Sequence, residues 1–135
     1  MRAACAMLIL AAACSSGTPF DAQVSAVLDD AFTLRVGQEV TFTGEPLRIL
    51  FEEVPEDSRC PLQVTCVWEG NASVGLRVST ATASAQLVAL NTTLEPRAIS
   101  VLGYDISLER LDPYPQSDNR IQQSKYVAHL RVAKH

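Results

Sequence analysis

The sequence predicts an all-β domain: an antiparallel β-sandwich or open barrel of about seven to nine short strands with one disulfide. Three observations lead there. Apolar and polar residues alternate with period two along successive short runs, no 3.6-residue helical period persists, and Gly and Pro fall between the runs. Phe32, Leu34 and Val36 alternate with Thr33 and Arg35, and Gly37-Gln38 then turns the chain into Val40-Thr41-Phe42. After Gly44-Glu45-Pro46, Leu47, Ile49 and Phe51 share one face against Arg48, Leu50 and Glu52. Val67-Trp68 leads through Gly70-Asn71 into Ala72, Val74, Leu76 and Val78. A turn near Thr82-Ala83 precedes the denser run 85–90, a loop holding a Pro follows, and Ala98–Val101 is short. Gly103 turns the chain into Tyr104, Ile106 and Leu108. The stretch 112–119 is a loop, because its two prolines cannot serve a ladder. Tyr126, Ala128, Leu130 and Val132 form the inner face of the last strand. Short strands with turns every 8 to 12 residues are the mark of a sandwich or barrel.

The size and composition agree with one such domain. At 135 residues the chain can bury a single core, and 47% hydrophobic with 19% charged residues excludes wholesale disorder. A net charge of −4 argues against nucleic acid as a partner, since phosphate binding needs clustered Lys and Arg.

The first fourteen residues carry a location signal. Arg2 is a short positive region, Ala3 to Leu10 an apolar stretch, and Ala11-Ala12-Ala13 a run of small residues. That pattern is a secretion signal, too short to span a membrane. Ending at Cys14, it resembles a bacterial lipobox, with Ala11 standing where Leu is preferred. The competing reading is an ordinary A-x-A cleavage site, but a Cys placed directly after the cut favours lipidation. The chain thus divides into a signal at 1–13, a tether at 14–31 with a short edge element near Val24–Leu28, and the β-sandwich domain at 32–135. Cys14 is the lipid attachment site, and acyl chains on it would anchor the protein in a membrane. Ser15 after it implies the outer membrane in a two-membrane host and the cell surface otherwise. Losing Arg2 with the signal leaves the remainder one charge more negative than −4.

Cys5 departs with the signal, so Cys60 and Cys66 remain to form one disulfide in an exported protein. Five intervening residues are wrong for C-x2-C zinc or redox motifs, and a ring this small stabilises by roughly 2 kcal/mol.

The residues around that pair resemble a known pattern. Glu56-Asp57-Ser58-Arg59-Cys60-Pro61 and Val64-Thr65-Cys66-Val67-Trp68-Glu69-Gly70-Asn71-Ala72 are similar to a D-S-R-C-P-x4-C-x-W-x-G motif of uncharacterised exported bacterial proteins, many of them lipoproteins. The resemblance extends to Leu34-Arg35-Val36-Gly37-Gln38 and to Tyr104-x-Ile106-x-Leu108 with Leu111-x-Pro113-Tyr114-Pro115, across residues 32 to 132. It implies the domain boundary and the disulfide, and no activity.

Three residues are candidates for binding. Arg59 either pairs with a carboxylate and caps strand carbonyls, the expected role, or faces a ligand. Trp68 is the sole Trp; packing beside the disulfide is expected, and a ligand-facing role is the alternative. Tyr114, stiffened between two prolines, would present an aromatic surface or pack over the sandwich end. Glu52, Glu53, Glu56, Asp57 and Glu69 read as solvated negative surface, without the ligand spacing of a calcium loop. His129 and His135 have no ligand partner near them in sequence, and no G-x-S-x-G, H-E-x-x-H or P-loop string occurs. No catalytic residue, metal site or cofactor is therefore expected. The expected function is a non-enzymatic module of the bacterial cell envelope. It would be held on the membrane by its lipid, binding a protein, peptide or glycan or serving as a structural part. An inhibitor of extracellular peptidases is the alternative, and a metal-binding or enzymatic domain a third reading.

Overall fold

The computed structural model describes residues 23–117 and 120–135; the stretch expected to be a signal at 1–13, Cys14 and the first part of the expected tether lie outside them. Within the described residues the chain forms nine strands: β1 (Gln23–Ala26), β2 (Ala31–Arg35), β3 (Glu39–Phe42), β4 (Arg48–Asp57), β5 (Ala72–Ser79), β6 (Gln86–Asn91), β7 (Ala98–Val101), β8 (Tyr104–Asp112) and β9 (Val127–Lys134). They make two sheets packed as a sandwich, not closed into a barrel. One sheet has the order β1-β3-β4-β5-β6 and the other β2-β9-β8-β7. All pairings are antiparallel except β1 with β3.

Alternation explains the packing. Val40 and Phe42 of β3, Ile49 and Phe51 of β4, and Ala72, Val74, Leu76 and Val78 of β5 are buried from one sheet. Leu34, Ile106, Leu108, Ala128, Leu130 and Val132 meet them from the other. Phe32 and Phe42 cross the gap edge to face, with ring centroids 5.4 Å apart. Each large side chain so buried contributes about 1.5–3 kcal/mol.

The short edge element expected near Val24–Leu28 is present as β1, and Val24, Ala26 and Leu28 pack against the core from the sheet edge. Other features depart from the simple reading. β4 is ten residues long and runs through Pro55, which alternation alone ends at Glu52. Two register shifts against β5, between Phe51 and Glu53 and between Glu53 and Glu56, absorb the extra residues. Prolines are tolerated in strands at such bulges and at edges. β3 pairs with β4 only as far as Leu50, Gly37 and Gln38 bond to Phe51, and at Val54 the Gln123 side chain serves as the neighbour. Its amide oxygen accepts from the Val54 N–H at 2.9 Å, and its Nε2 donates to the Val54 carbonyl at 2.9 Å. Gln123 opens a single 3₁₀ turn, Gln123–Lys125, that leads into β9. A third shift, between Leu108 and Arg110, lets β8 bury both Leu108 and Leu111.

These bulges and bends gather at one end of the sandwich. There β4 hands over to the loop that runs to β5, and β8 to the loop that runs to β9.

Candidate functional site

Arg59 ties the two sheets together at that end. It follows β4, and its buried guanidinium donates from Nε (2.9 Å) and Nη2 (2.7 Å) to the two oxygens of Asp57. Nη1 donates to the carbonyl of Leu111 at 2.8 Å, and Nη2 also donates to that of Pro113 at 2.9 Å. Leu111 and Pro113 belong to the β8 end of the opposite sheet, so the side chain spans the sandwich. The guanidinium also lies over the Tyr114 ring, 5.1 Å from its centroid. Burial pushes the Asp57 carboxyl up, but the hydrogen bonds from Arg59 and Tyr126, with the charge of Arg59, hold it below its ordinary 3.8. Tyr126 donates to Asp57 at 2.8 Å, and burial together with that bond pushes its hydroxyl up to about 12.

The carboxylate-pairing and carbonyl-capping role expected for Arg59 is therefore the one present, and its donors are spent inside the protein. A ligand could reach only the flanks of this cluster. Three shallow cavities lie there, one of about 210 Å³ beside Pro61, Pro115 and Tyr126, one of about 230 Å³ beside Glu69, Thr92, Thr93 and Tyr114, and one of about 330 Å³ beside Val54, Asp57 and Gln123.

The loop from 58 to 71 is anchored by its polar groups. Cys60 and Cys66 are joined, with Cα atoms 6.0 Å apart. Ser58 and Asn71 close the base, the Ser58 N–H donating to the Asn71 carbonyl at 2.7 Å and the Asn71 N–H to Ser58 Oγ at 3.1 Å. Gly70 has φ +72, and a Cβ there would stand 1.9 Å from the Ser58 carbonyl oxygen, so only glycine allows this closure. Asn71 is buried; its side chain donates to Asn91 Oδ1 and accepts from the N–H groups of Thr93 and Leu94. The Leu62 N–H donates to the Pro115 carbonyl at 2.9 Å, fastening the stapled loop to the loop that carries Tyr114.

With its polar groups turned inward, the loop turns its apolar ones outward. Trp68 is 54% exposed, Leu62 is 65% exposed, Val64 is exposed and Val67 stands free in solvent. The expected packing of Trp68 is thus corrected. The disulfide spans the loop rather than the two sheets, so it offers no core surface for the indole, and aliphatic side chains with Phe51 fill the interior. Tyr114 is 40% exposed, one part of its ring against Arg59 and the rest open. Trp68 and Tyr114 are therefore both accessible, Tyr114 against the buried Arg59.

The five carboxylates separate. Asp57 turns inward, Glu52 pairs with Arg77 at 2.5 Å, and Glu69 borders the cavity at Tyr114. Among the described residues no three His, Cys, Asp or Glu side chains gather as a metal site. His129 Nε2 lies 2.7 Å from Asp112 Oδ2. Ser100, Asp105 and His135 meet on one sheet face, but the Ser100 hydroxyl donates directly to Asp105 Oδ1, and His135 Nδ1 lies 2.9 Å from that same oxygen. No base is interposed between hydroxyl and carboxylate, so these three do not activate a nucleophile. A wider groove of about 520 Å³ at the opposite end holds Glu45, whose carboxylate Tyr104 and Lys134 already occupy. No protein-family model, curated protein or solved structure matches the chain.

Sequence reasoning missed Asn71, Gln123 and Tyr126. Gly70-Asn71 directly before a strand was a signal for the first, because Asn readily bonds to nearby backbone. Gln123 and Tyr126 act at long range, and nothing local marks them.

Proposed function

We propose that the chain is an exported, lipid-anchored binding module of the bacterial envelope, without enzymatic activity, that holds a protein partner on the stapled loop 60–69. One observation supports this above all: Leu62, Val64, Val67 and Trp68 are exposed together on a loop that a disulfide, Asn71 and Arg59 hold in place. Exposed apolar groups on a preformed surface bind without the entropic cost of ordering it, and Trp is enriched among the residues that dominate interfaces. Three exposed aliphatic side chains on the same loop as the indole favour an apolar protein surface over the hydroxyl groups of a glycan. The lipid anchor rests on residues 1–14 and their lipobox pattern.

Capture from envelope extracts tests the loop. Wild-type protein should retain a partner that Trp68→Ala and Val67→Ser both lose, and the purified partner should bind with the same difference. Equal capture by all three proteins would refute the assignment. The anchor has its own test: Cys14→Ser should abolish incorporation of labelled palmitate and release the protein from membranes. The braced loop also fits an inhibitor of extracellular peptidases, and inhibition of a purified peptidase lost in Trp68→Ala would identify the partner as such an enzyme.

A further inference from the structure

The register of β6 leaves one sheet edge open, and the open groups are complementary to themselves. β6 is the last strand of the five-stranded sheet. Thr92, just beyond it, donates its backbone N–H inward to Ala72, so even-numbered residues of β6 bond to β5 and odd-numbered ones direct N–H and C=O outward. The outward N–H of Asn91 is taken by the Pro96 carbonyl. The N–H and C=O groups of Leu87 and Ala89 remain, unpaired among the described residues. Sheet edges are ordinarily guarded by charges, prolines or bulges. β6 has none of these: no charged residue occurs from Val78 to Leu94, and its register against β5 is unbroken. Leu87 on its outer face is 67% exposed.

We propose that β6 pairs antiparallel with β6 of a second copy of the chain, on a two-fold axis at Val88. In that register Leu87 of each copy faces Ala89 of the other. The N–H and C=O groups of Leu87 and Ala89 on each copy are then all used, and a large side chain sits beside a small one. Charge selects this edge for self-association. Copies of like net charge, −4 over the full chain, repel one another, whereas the 78–94 stretch brings no charge to the contact. A two-fold contact of this kind closes at two copies and does not propagate into a filament. The surface is separate from the stapled loop, and the inference stands whether or not that loop binds a partner.

A contact of one short strand is small and gives a dissociation constant on the order of 100 µM. Sedimentation velocity on the purified chain carrying Cys14→Ser, from about 10 µM to about 1 mM, spans that range. The expected result is a monomer that becomes a dimer across the series. Leu87→Lys should abolish the dimer with an unchanged circular dichroism spectrum, since the side chain stands in solvent. Ala89→Pro should abolish it as well, because it removes an N–H that points away from β5. Trp68→Ala should leave the dimer intact. A chain that stays monomeric throughout, or a dimer that survives both β6 variants, would overturn the proposal.

Discussion

Replacing Arg59 with Met tests whether one buried ion pair organises the functional end of the sandwich. The two side chains are 4% and 11% exposed, so water screens their interaction little. Met fills much of the volume but leaves the Asp57 carboxylate buried, with only the Tyr126 hydroxyl and the Arg59 backbone N–H donating to it. Breaking a buried pair from one side costs about 3–5 kcal/mol. The carbonyls of Leu111 and Pro113 lose their donors too, at about 1–3 kcal/mol each where water cannot replace them. These losses share one site and do not add, so the expected total is about 4 kcal/mol. For a domain of this size that lowers the melting temperature by roughly 12–20 °C. Chemical denaturation at pH 7, disulfide intact, gives the free energy directly. A double-mutant cycle with Asp57→Asn isolates the pair, and a coupling of at least about 2 kcal/mol is expected. A loss below about 1 kcal/mol for Arg59→Met, or a cycle without coupling, would refute the argument.

The same pair fixes the direction of the pH response. Asp57 is held below its ordinary 3.8 in the folded protein, so its contribution is complete above that value and is lost as pH falls through the folded one. Without Arg59 the buried carboxylate takes up a proton more readily, and acid relieves its cost. The stability gap between wild type and Arg59→Met should therefore narrow as pH drops below 3.8. A gap that widens in acid would show that the pair is not its source.

Three further outcomes follow from the geometry. Gly70→Ala should cost at least about 3 kcal/mol or prevent folding, because it adds a clash with Ser58 to an unfavourable φ; denaturation or soluble yield reads this. In contrast, Trp68→Ala should change stability by no more than about 0.5 kcal/mol while losing the partner. Tyr104, bonded to Glu45, and Tyr126, bonded to Asp57, should ionise only near about 12, as followed by phenolate absorbance. Tyr126→Phe should remove one of these two late steps and cost about 1 kcal/mol.

Much of the fold was legible because alternation is a direct readout of a half-buried strand. The inner faces Ala72-Val74-Leu76-Val78 and Ala128-Leu130-Val132 stand in the sequence as they stand in the core. Where a bulge interrupts alternation, the reading stopped. Glu52-Glu53 and Pro55 hide the second half of β4, which exists because β5 pairs around the bulges and Gln123 covers the far side. The parallel partnership of β1 with β3 was not legible, since four residues with two small apolar side chains do not announce a neighbour. At the candidate site, the pairing of Cys60 with Cys66 followed from the expected export, and the inward role of Arg59, the expected one of two, from its carboxylate neighbour Asp57. The position of Trp68 did not, because loop residues have no period to assign them a face.

That contrast bears on how the site works. Asp57, Ser58, Arg59, Gly70 and Asn71 direct polar or steric demands into the protein, and each is met there: the carboxylate by Arg59 and Tyr126, the base of the loop by Ser58 and Asn71. The apolar residues between them receive no such partner. Leu62 is held by its backbone to Pro115 while its side chain stays in water, and the side chains of Val67 and Trp68 stand in water too. Exposing an indole and three aliphatic groups in water is unfavourable by the same hydrophobic term that buries Phe51, at about 25 cal/mol per Å² of apolar surface. A loop free to move would collapse those groups onto the sandwich. The staple, the Gly70 closure and the Arg59 cluster oppose that collapse, which leaves the hydrophobic gain open to the proposed partner at Trp68.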